Sequence, residues 1–126
     1  MHLFVQIHPL PEIDFVQSFE GLAMILANQS GMYFEMDGSF VWVDHQADPP
    51  CQMDGMVYDR DGRLEYVEVK GTCNATQWNI LCEAISGEAG LHSLRIHEVS
   101  RGEWGNALDI ARQLKQRGQT DQTAPR

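Results

Sequence analysis

Two consecutive β-hairpin signals in the middle of this 126-residue chain constrain its fold more than any other feature. In the first, two aromatic-rich runs, residues 32–36 and 39–43, flank the dipeptide Asp37-Gly38. Asp-Gly favours a type I′ turn, because both central residues of that turn need positive φ. The second hairpin joins residues 53–59 to residues 64–70 through Arg60-Asp61-Gly62. The sequence therefore predicts four antiparallel strands at the centre of the fold.

The aromatic residues of the first hairpin raise the question of what covers them. A two-residue turn places Tyr33 opposite Trp42 and Phe34 opposite Val41, so both sides of the hairpin are apolar. Either helices cover both sides, or one side is a partner or dimer surface. A partly exposed Trp42 beside the acidic loop at residues 44–48 is the observation that would favour the interface.

The segments around the hairpins predict one strand and three helices in addition, with a further strand between the last two helices. The predicted order is β-α-β-β-β-β-α-β-α, an α+β fold with a mixed, largely antiparallel sheet, two central hairpins and three flanking helices, in one domain at residues 1–118. The predicted elements begin with a strand at 3–7 and a helix at 11–28 that has Phe15, Phe19, Leu22 and Leu26 inward. A second helix is opened by the capping box of Asn74 and Gln77 and closed by Gly87, and a strand at 92–98 follows it. The last predicted helix is opened by the capping box of Ser100 and Glu103, has Trp104 inward and ends at Gly118, before a disordered tail at 119–126.

The charge of the chain excludes several functional classes. The net charge is −9, and residues 1–59 hold half of the 18 acidic residues but no Lys or Arg. Such a chain is poorly suited to binding phosphate backbones and favours a basic partner or a divalent cation.

No apolar run reaches the ~20 residues that a membrane span needs. The three cysteines are an odd number without close pairing, so we expect a reducing, cytoplasmic environment.

The second hairpin carries the one group of residues with a chemical mechanism behind it. Glu68 and Lys70 are two positions apart on a strand and therefore share a face of the sheet. A three-residue turn with a bulge pairs Asp54 with Glu68, whereas a two-residue turn pairs Gly55 with Glu68 and turns Asp54 away. In the first register the two carboxylates could bind Mg²⁺, with Glu20 of the first helix completing the ligand set.

In such a site Lys70 would orient a metal-activated water or stabilise charge on a phosphate. The same residues also suit a solvated cross-strand ion-pair cluster, in which each contact contributes ~0.2–1 kcal/mol. The sequence leaves both interpretations open.

The run from residue 52 to residue 70, QMDGMVYDRDGRLEYVEVK, resembles the hairpin of the PD-(D/E)xK nuclease-like superfamily. The resemblance implies an αβββαβ core, Asp54 and Glu68 as metal ligands, Lys70 as the catalytic lysine, and Mg²⁺-dependent phosphodiester hydrolysis with nucleic acid as the partner. Gln77, at the start of the following helix, is similar to a glutamine that some branches carry there.

The sequence predicts most directly a small acidic domain that binds a protein partner or self-associates, without catalysis and without a cofactor. The alternative is a nuclease-like phosphodiesterase, active or degenerate, that uses Asp54, Glu68 and Lys70 with Mg²⁺. The two hypotheses separate on the strand register around these three residues.

Overall fold

A computed structural model describes the backbone of residues 1–123 and the side chains of residues 1–117. Its main elements are β1 (His2–Pro9), α1 (Phe19–Ala27), β2 (Met32–Phe34), β3 (Ser39–Asp44), β4 (Cys51–Arg60), β5 (Arg63–Thr72), α2 (Ala75–Ser86), β6 (Leu94–Glu98), β7 (Glu103–Gly105) and α3 (Ala107–Thr123). The seven strands form one antiparallel sheet in the order β2-β3-β4-β5-β1-β6-β7. The predicted α+β class and element order are confirmed, with β7 as an additional strand.

The three helices pack on one face of the sheet and leave the other face uncovered. Side chains of alternate strand residues form a single buried cluster with the helices, as the period of two along a strand requires. The strand residues of this cluster include Val5, Ile7, Val57, Val67, Val69 and Ile96. Its helix residues include Leu22, Leu26, Trp78, Leu81, Ile85 and Ile110. The residues between them on each strand therefore project from the opposite, open face.

Helix α2 begins where the sequence predicts. The Asn74 side chain accepts a hydrogen bond from the Gln77 backbone N–H at 2.8 Å, and the Gln77 side chain accepts from the Asn74 N–H at 3.2 Å. This capping box satisfies two of the backbone donors at the helix start. The predicted end at Gly87 is also confirmed, since that residue follows the last helical residue with φ 56°.

Helix α1 is shorter than the predicted helix at residues 11–28. The preceding segment contains Pro11 and a Glu12 with φ of 65°, a conformation that a helix does not accommodate. Ser18 caps the helix instead, and its hydroxyl accepts a hydrogen bond from Gly21 N–H at 2.9 Å. Phe15 lies before the helix and packs against the core from a loop.

The register of the first hairpin differs by one residue from the predicted one. Tyr33 pairs with Val41 and Phe34 with Phe40, across a connection formed by residues 35–38. The carboxylate of Asp37 accepts hydrogen bonds from the N–H and the hydroxyl of Ser39, at 2.9 and 2.6 Å, and so forms the turn through its side chain. Trp42 consequently faces the core.

The burial of Trp42 removes the argument for an interface on this hairpin. Its side chain is 3% exposed, and the indole N–H donates to the Ser30 carbonyl at 3.0 Å. Phe40 and Trp42 are therefore core residues rather than a partner surface.

The last helix also begins later than predicted, because residues 103–105 pair with β6 as a strand. Glu103 forms an ion pair with Arg101 at 3.7 Å. Asn106 takes the capping role that Ser100 was predicted to have, and accepts from the Asp109 N–H at 2.8 Å. Trp104, predicted to face inward on a helix, is 51% exposed on the sheet.

The backbone helix α3 continues past its predicted end at Gly118 to Thr123. A glycine inside a helix costs only about 1 kcal/mol relative to alanine and need not end it. The predicted disorder of residues 119–126 stays a prediction for 124–126, which lie outside the described residues.

Candidate binding surface on the open sheet face

The turn between β4 and β5 determines which side chains reach the open face. The connection is the two-residue turn Asp61-Gly62, with φ values of 54° and 81° that fit a type I′ turn. Arg60 pairs with Arg63, and the register then shifts by one residue beside Glu65, which forms a β-bulge. Both predicted registers are therefore wrong, because neither combined a two-residue turn with a bulge.

The shifted register places Asp54 directly opposite Lys70, and Glu68 opposite Met56. Since β4 buries Met53 and Val57 while β5 buries Val67 and Val69, all three predicted catalytic residues project from the open face. Asp54 and Glu68 are diagonal neighbours rather than the predicted direct pair.

Each of the three predicted catalytic residues contacts a different neighbour. Glu68 accepts a hydrogen bond from the Gln6 side chain at 3.2 Å. The Lys70 ammonium lies 4.3 Å from the centre of the Phe4 ring, a cation–π geometry. Asp54 accepts a long hydrogen bond of 3.4 Å from the Gln52 amide.

The third predicted metal ligand, Glu20, is not brought to the other two. Glu20 lies on α1, whose Leu22 and Leu26 pack on the covered face, whereas Asp54 and Glu68 project from the open face. Among the residues that the structure describes, no three His, Cys, Asp or Glu side chains are grouped to hold a metal ion. Gln77, matched to the superfamily glutamine, is buried in the α2 capping box.

A continuous row of rings crosses the open face beside these residues. We call it the aromatic strip, and it consists of Tyr58, Tyr66, His8, Trp104 and His97. Tyr58 stacks on Tyr66 with 4.5 Å between ring centroids, and Tyr66 stacks on His8 at 5.0 Å. Trp104 meets His8 edge-on at 5.2 Å and stacks on His97 at 4.7 Å.

The strip extends over five neighbouring strands, β4, β5, β1, β6 and β7. At ~4.8 Å between strands, its length is about 19 Å. Arg95 completes it, with the guanidinium 4.1 Å from the centre of the Trp104 ring and Nε donating to the Pro9 carbonyl at 2.9 Å. The rings thus contact one another in series, and each of them is at least partly exposed to solvent.

Several hydrogen-bonding groups of the strip have no partner within the part of the chain that the structure describes. These are the hydroxyls of Tyr58 and Tyr66 and the indole N–H of Trp104. Partly exposed aromatic residues with free polar ends suit a surface that is apolar along the ring and wet at its tip.

Burial and nearby charge shift two titrating groups of the strip. Burial lowers the pKa of His8, and electrostatic interactions with Arg95 and then His97 lower it further. The His8 ring is therefore neutral at physiological pH, with Nε2 3.2 Å from the Gln6 side-chain oxygen. Burial among its neighbours also raises the pKa of Tyr66, so its hydroxyl stays protonated as a donor.

Sequence reasoning missed the strip, although part of its signal is local. Tyr58 and Tyr66 occupy mirror positions of the second hairpin, and each alternates with a buried valine. His8 and His97 alternate with apolar residues in the same way. Their assembly could not be read from the sequence, since it depends on β1 lying between β5 and β6 and on Trp104 being in a strand.

A polar cleft of about 500 Å³ lies on the other side of the molecule, between the end of β3 and the start of α2. Asp44, Asn74 and Gln77 line it, and the Asn74 side-chain amide donates a hydrogen bond to the Asp44 carboxylate at 2.8 Å. The Gln77 amide nitrogen is buried there and has no hydrogen-bond partner among the described residues. Asn74 also caps α2, and Asp44 accepts hydrogen bonds that order the 44–47 turn.

Comparison with protein-family models, with curated proteins and with solved structures gave no match to this chain. Within the described residues, none of the helices combines the length and the apolarity needed to cross a lipid bilayer.

Proposed function

We propose that this protein is a non-catalytic binding domain, and that the aromatic strip on its open sheet face is the surface that holds a partner protein. The observation that carries the proposal is the strip itself, a stacked row of rings that no helix covers. An uncovered sheet face needs only polar side chains for solubility, so an aromatic row over five strands indicates a second role.

The residue types of the strip are those that dominate binding energy in protein interfaces. Tyrosine, tryptophan and arginine are the commonest hot-spot residues, and the strip combines Tyr58, Tyr66 and Trp104 with Arg95. The stacking contacts already fix these side chains in the free protein. Binding then avoids part of the ~0.5–1.5 kcal/mol that ordering a mobile side chain costs.

The free polar groups at the strip supply orientation. The tyrosine hydroxyls and the Trp104 indole N–H can donate to carbonyl or carboxylate oxygens of a partner. The strip therefore suits a partner surface that combines apolar groups with exposed acceptors, as backbone segments of proteins do.

The charge distribution favours a protein over a nucleic acid as the partner. The chain carries a net charge of −9, and the open face includes Asp54 and Glu68 beside its few bases. Binding to a phosphate backbone needs a cationic surface, which this excess of acidic residues opposes.

The proposal requires no cofactor. The cytoplasm remains the expected compartment, since all three cysteines are free thiols.

The nuclease-like alternative, with Mg²⁺ at Asp54, Glu68 and Lys70, stays a prediction. The three residues share a face, but each makes its contact with a different neighbour. The geometry adds no further support to that alternative.

The test compares partner capture by the wild-type protein with capture by a strip variant. The strip variant is Tyr66→Ser with Trp104→Ser, and the matched control is Tyr33→Ser, an exposed tyrosine on edge strand β2. Extract from the source cells, treated with nuclease, is passed over each immobilised protein. Retained proteins are identified by mass spectrometry, and the affinity of each purified pair is measured by calorimetry.

We expect at least one protein that the wild type and the control retain and the strip variant loses, with affinity reduced at least tenfold. Retention of the same proteins by the strip variant would contradict the proposal. Sedimentation equilibrium of the same three proteins shows whether the partner is a second copy of this chain.

A further inference from the structure

An apolar groove lies on the opposite side of the molecule from the aromatic strip, between α1 and the edge strand β2. We call it the methionine groove, and its volume is about 490 Å³. Its apolar lining consists of Phe19, Ala23, Met24, Ala27, Phe34 and Met36. The two phenylalanine rings lie 6.3 Å apart and are half-buried, so they form its floor.

The two methionines are among the most exposed apolar side chains in the described structure. Met36 is 96% exposed and Met24 is 65% exposed. Unbranched, polarisable methionine side chains adapt their shape to a partner, and they are used in this way on grooves that bind helices. On α1, Phe19, Ala23 and Ala27 lie along one face at a spacing of four, and the small alanines allow close approach.

The rim of the methionine groove is acidic. Glu20 lines the groove, and Glu35 and Asp37 flank Met36 in the turn. Hydrogen bonds from Ser39 lower the pKa of Asp37, so this carboxylate stays ionised.

The described segments that line the methionine groove, α1 and the β2 hairpin, contain no Lys or Arg. No Lys or Arg occurs in residues 1–59, and the last turn of α1 contains no base to balance its negative dipole end. Arg63 pairs with the residue before α1, but its guanidinium is held by Asp14 at 2.7 Å.

We infer that the methionine groove binds a basic amphipathic helix of a partner protein. The apolar floor accepts the hydrophobic stripe of such a helix, and the acidic rim attracts its Lys or Arg residues. With nine residues, α1 is about 14 Å long, which matches two to three turns of the bound helix. This inference uses a different surface from the aromatic strip and does not depend on it.

The experiment uses a fluorescent helical peptide of about 18 residues, built of leucine and lysine with leucine on one face. A peptide with glutamate in place of lysine and a scrambled leucine–lysine peptide are the reference probes. Fluorescence anisotropy is measured with the full chain at low and at physiological salt. Circular dichroism verifies that each variant is folded.

Two pairs of variants separate the apolar and the electrostatic contributions. Met24→Gln with Met36→Gln removes the apolar walls, and Leu108→Gln on α3 is its control at another exposed apolar residue. Glu20→Gln with Glu35→Gln removes rim charge, and Glu88→Gln is its control at another exposed acid.

We expect the leucine–lysine peptide to bind and both reference peptides to bind at least tenfold more weakly. The methionine variant should weaken binding about tenfold or more, and the rim variant about threefold at low salt, while both controls bind like the wild type. Equal binding of the glutamate peptide, or no effect of the methionine variant, would overturn the inference.

A change of sedimentation behaviour in the methionine variant would also overturn the inference, since it would identify a second copy as the occupant. A Trp104→Ser variant should bind the peptide like the wild type. Failure of the groove proposal and failure of the strip proposal can therefore be distinguished.

Discussion

The contact between Gly55 and Phe40 provides a quantitative test of the register that creates the open face. The two residues are paired across β3 and β4, and the Phe40 ring, 2% exposed, fills the space above the glycine. A Cβ atom built on Gly55 would collide with three ring atoms of Phe40, the most distant of them, Cε2, at 2.6 Å. Gly55→Ala must therefore displace the ring from its place in the core.

We expect Gly55→Ala to destabilise the protein by about 2 kcal/mol, because overpacking of ~1–3 kcal/mol exceeds the small gain from a stiffer unfolded chain. Phe40→Leu alone should cost about 1–1.5 kcal/mol. Leucine lacks the three ring atoms that a new Cβ would meet. In the Phe40→Leu background, Gly55→Ala should therefore cost about 0.5 kcal/mol or less, an interaction energy of about 1.5 kcal/mol.

Urea denaturation of the four proteins, followed by circular dichroism, measures this cycle. Additivity of the two substitutions within about 0.5 kcal/mol would show that Gly55 does not face Phe40. The neighbouring Asp54 and Met56, and with them Tyr58, would lose their assignment to the open face.

Three further predictions concern titration, thiol reactivity and metal binding. Stability should decrease as the pH falls below about 6.5, because the pKa of His8 is lowered in the fold and the unfolded chain therefore takes up the proton first. His8→Gln should flatten this part of the pH profile of Tm, and an unchanged profile would contradict the burial of His8. In the native protein at pH 8, a disulfide reagent should modify Cys51 fastest, since burial raises the pKa of Cys73 to about 12 and that of Cys82 well above its ordinary value. Cys51→Ser should remove the fast phase, and equal rates for all three thiols would contradict this prediction. Adding Mg²⁺ to about 10 mM should leave Tm unchanged, whereas a rise that Asp54→Ala abolishes would favour the nuclease-like alternative over the binding domain.

The parts of the fold that could be predicted are those whose signal is local. The capping box of α2 lies within four residues, so Asn74 and Gln77 determine its start without help from the rest of the chain. The predicted start of α1 is too early because the apolar stripe extends back to Phe15, whereas the positive φ of Glu12 has no signal in the stripe. Trp104 is predicted on a helix because Ser100 and Glu103 have the spacing of a capping box, whereas residues 103–105 pair with β6 across the connection at residues 99–102.

The candidate site shows the same division. The period of two correctly groups Glu68 and Lys70, since they are on one strand. The position of Asp54 depends on a turn and a bulge together, and the bulge at Glu65 has no sequence signature in this hairpin. The aromatic strip could not be predicted, because its rings come from five strands whose order only the folded sheet establishes.

Chemical-shift mapping shows whether the aromatic strip is the surface to which the partner binds. The ¹⁵N-labelled protein is titrated with the partner that the capture experiment identifies, and the indole N–H signals of its three tryptophans are followed with the backbone amides. We expect the largest changes at Trp104 and at the amides of Tyr58, Tyr66 and His8, while the buried indoles change little. Changes confined to other surfaces, with the Trp104 indole unaffected, would contradict a binding role for the strip.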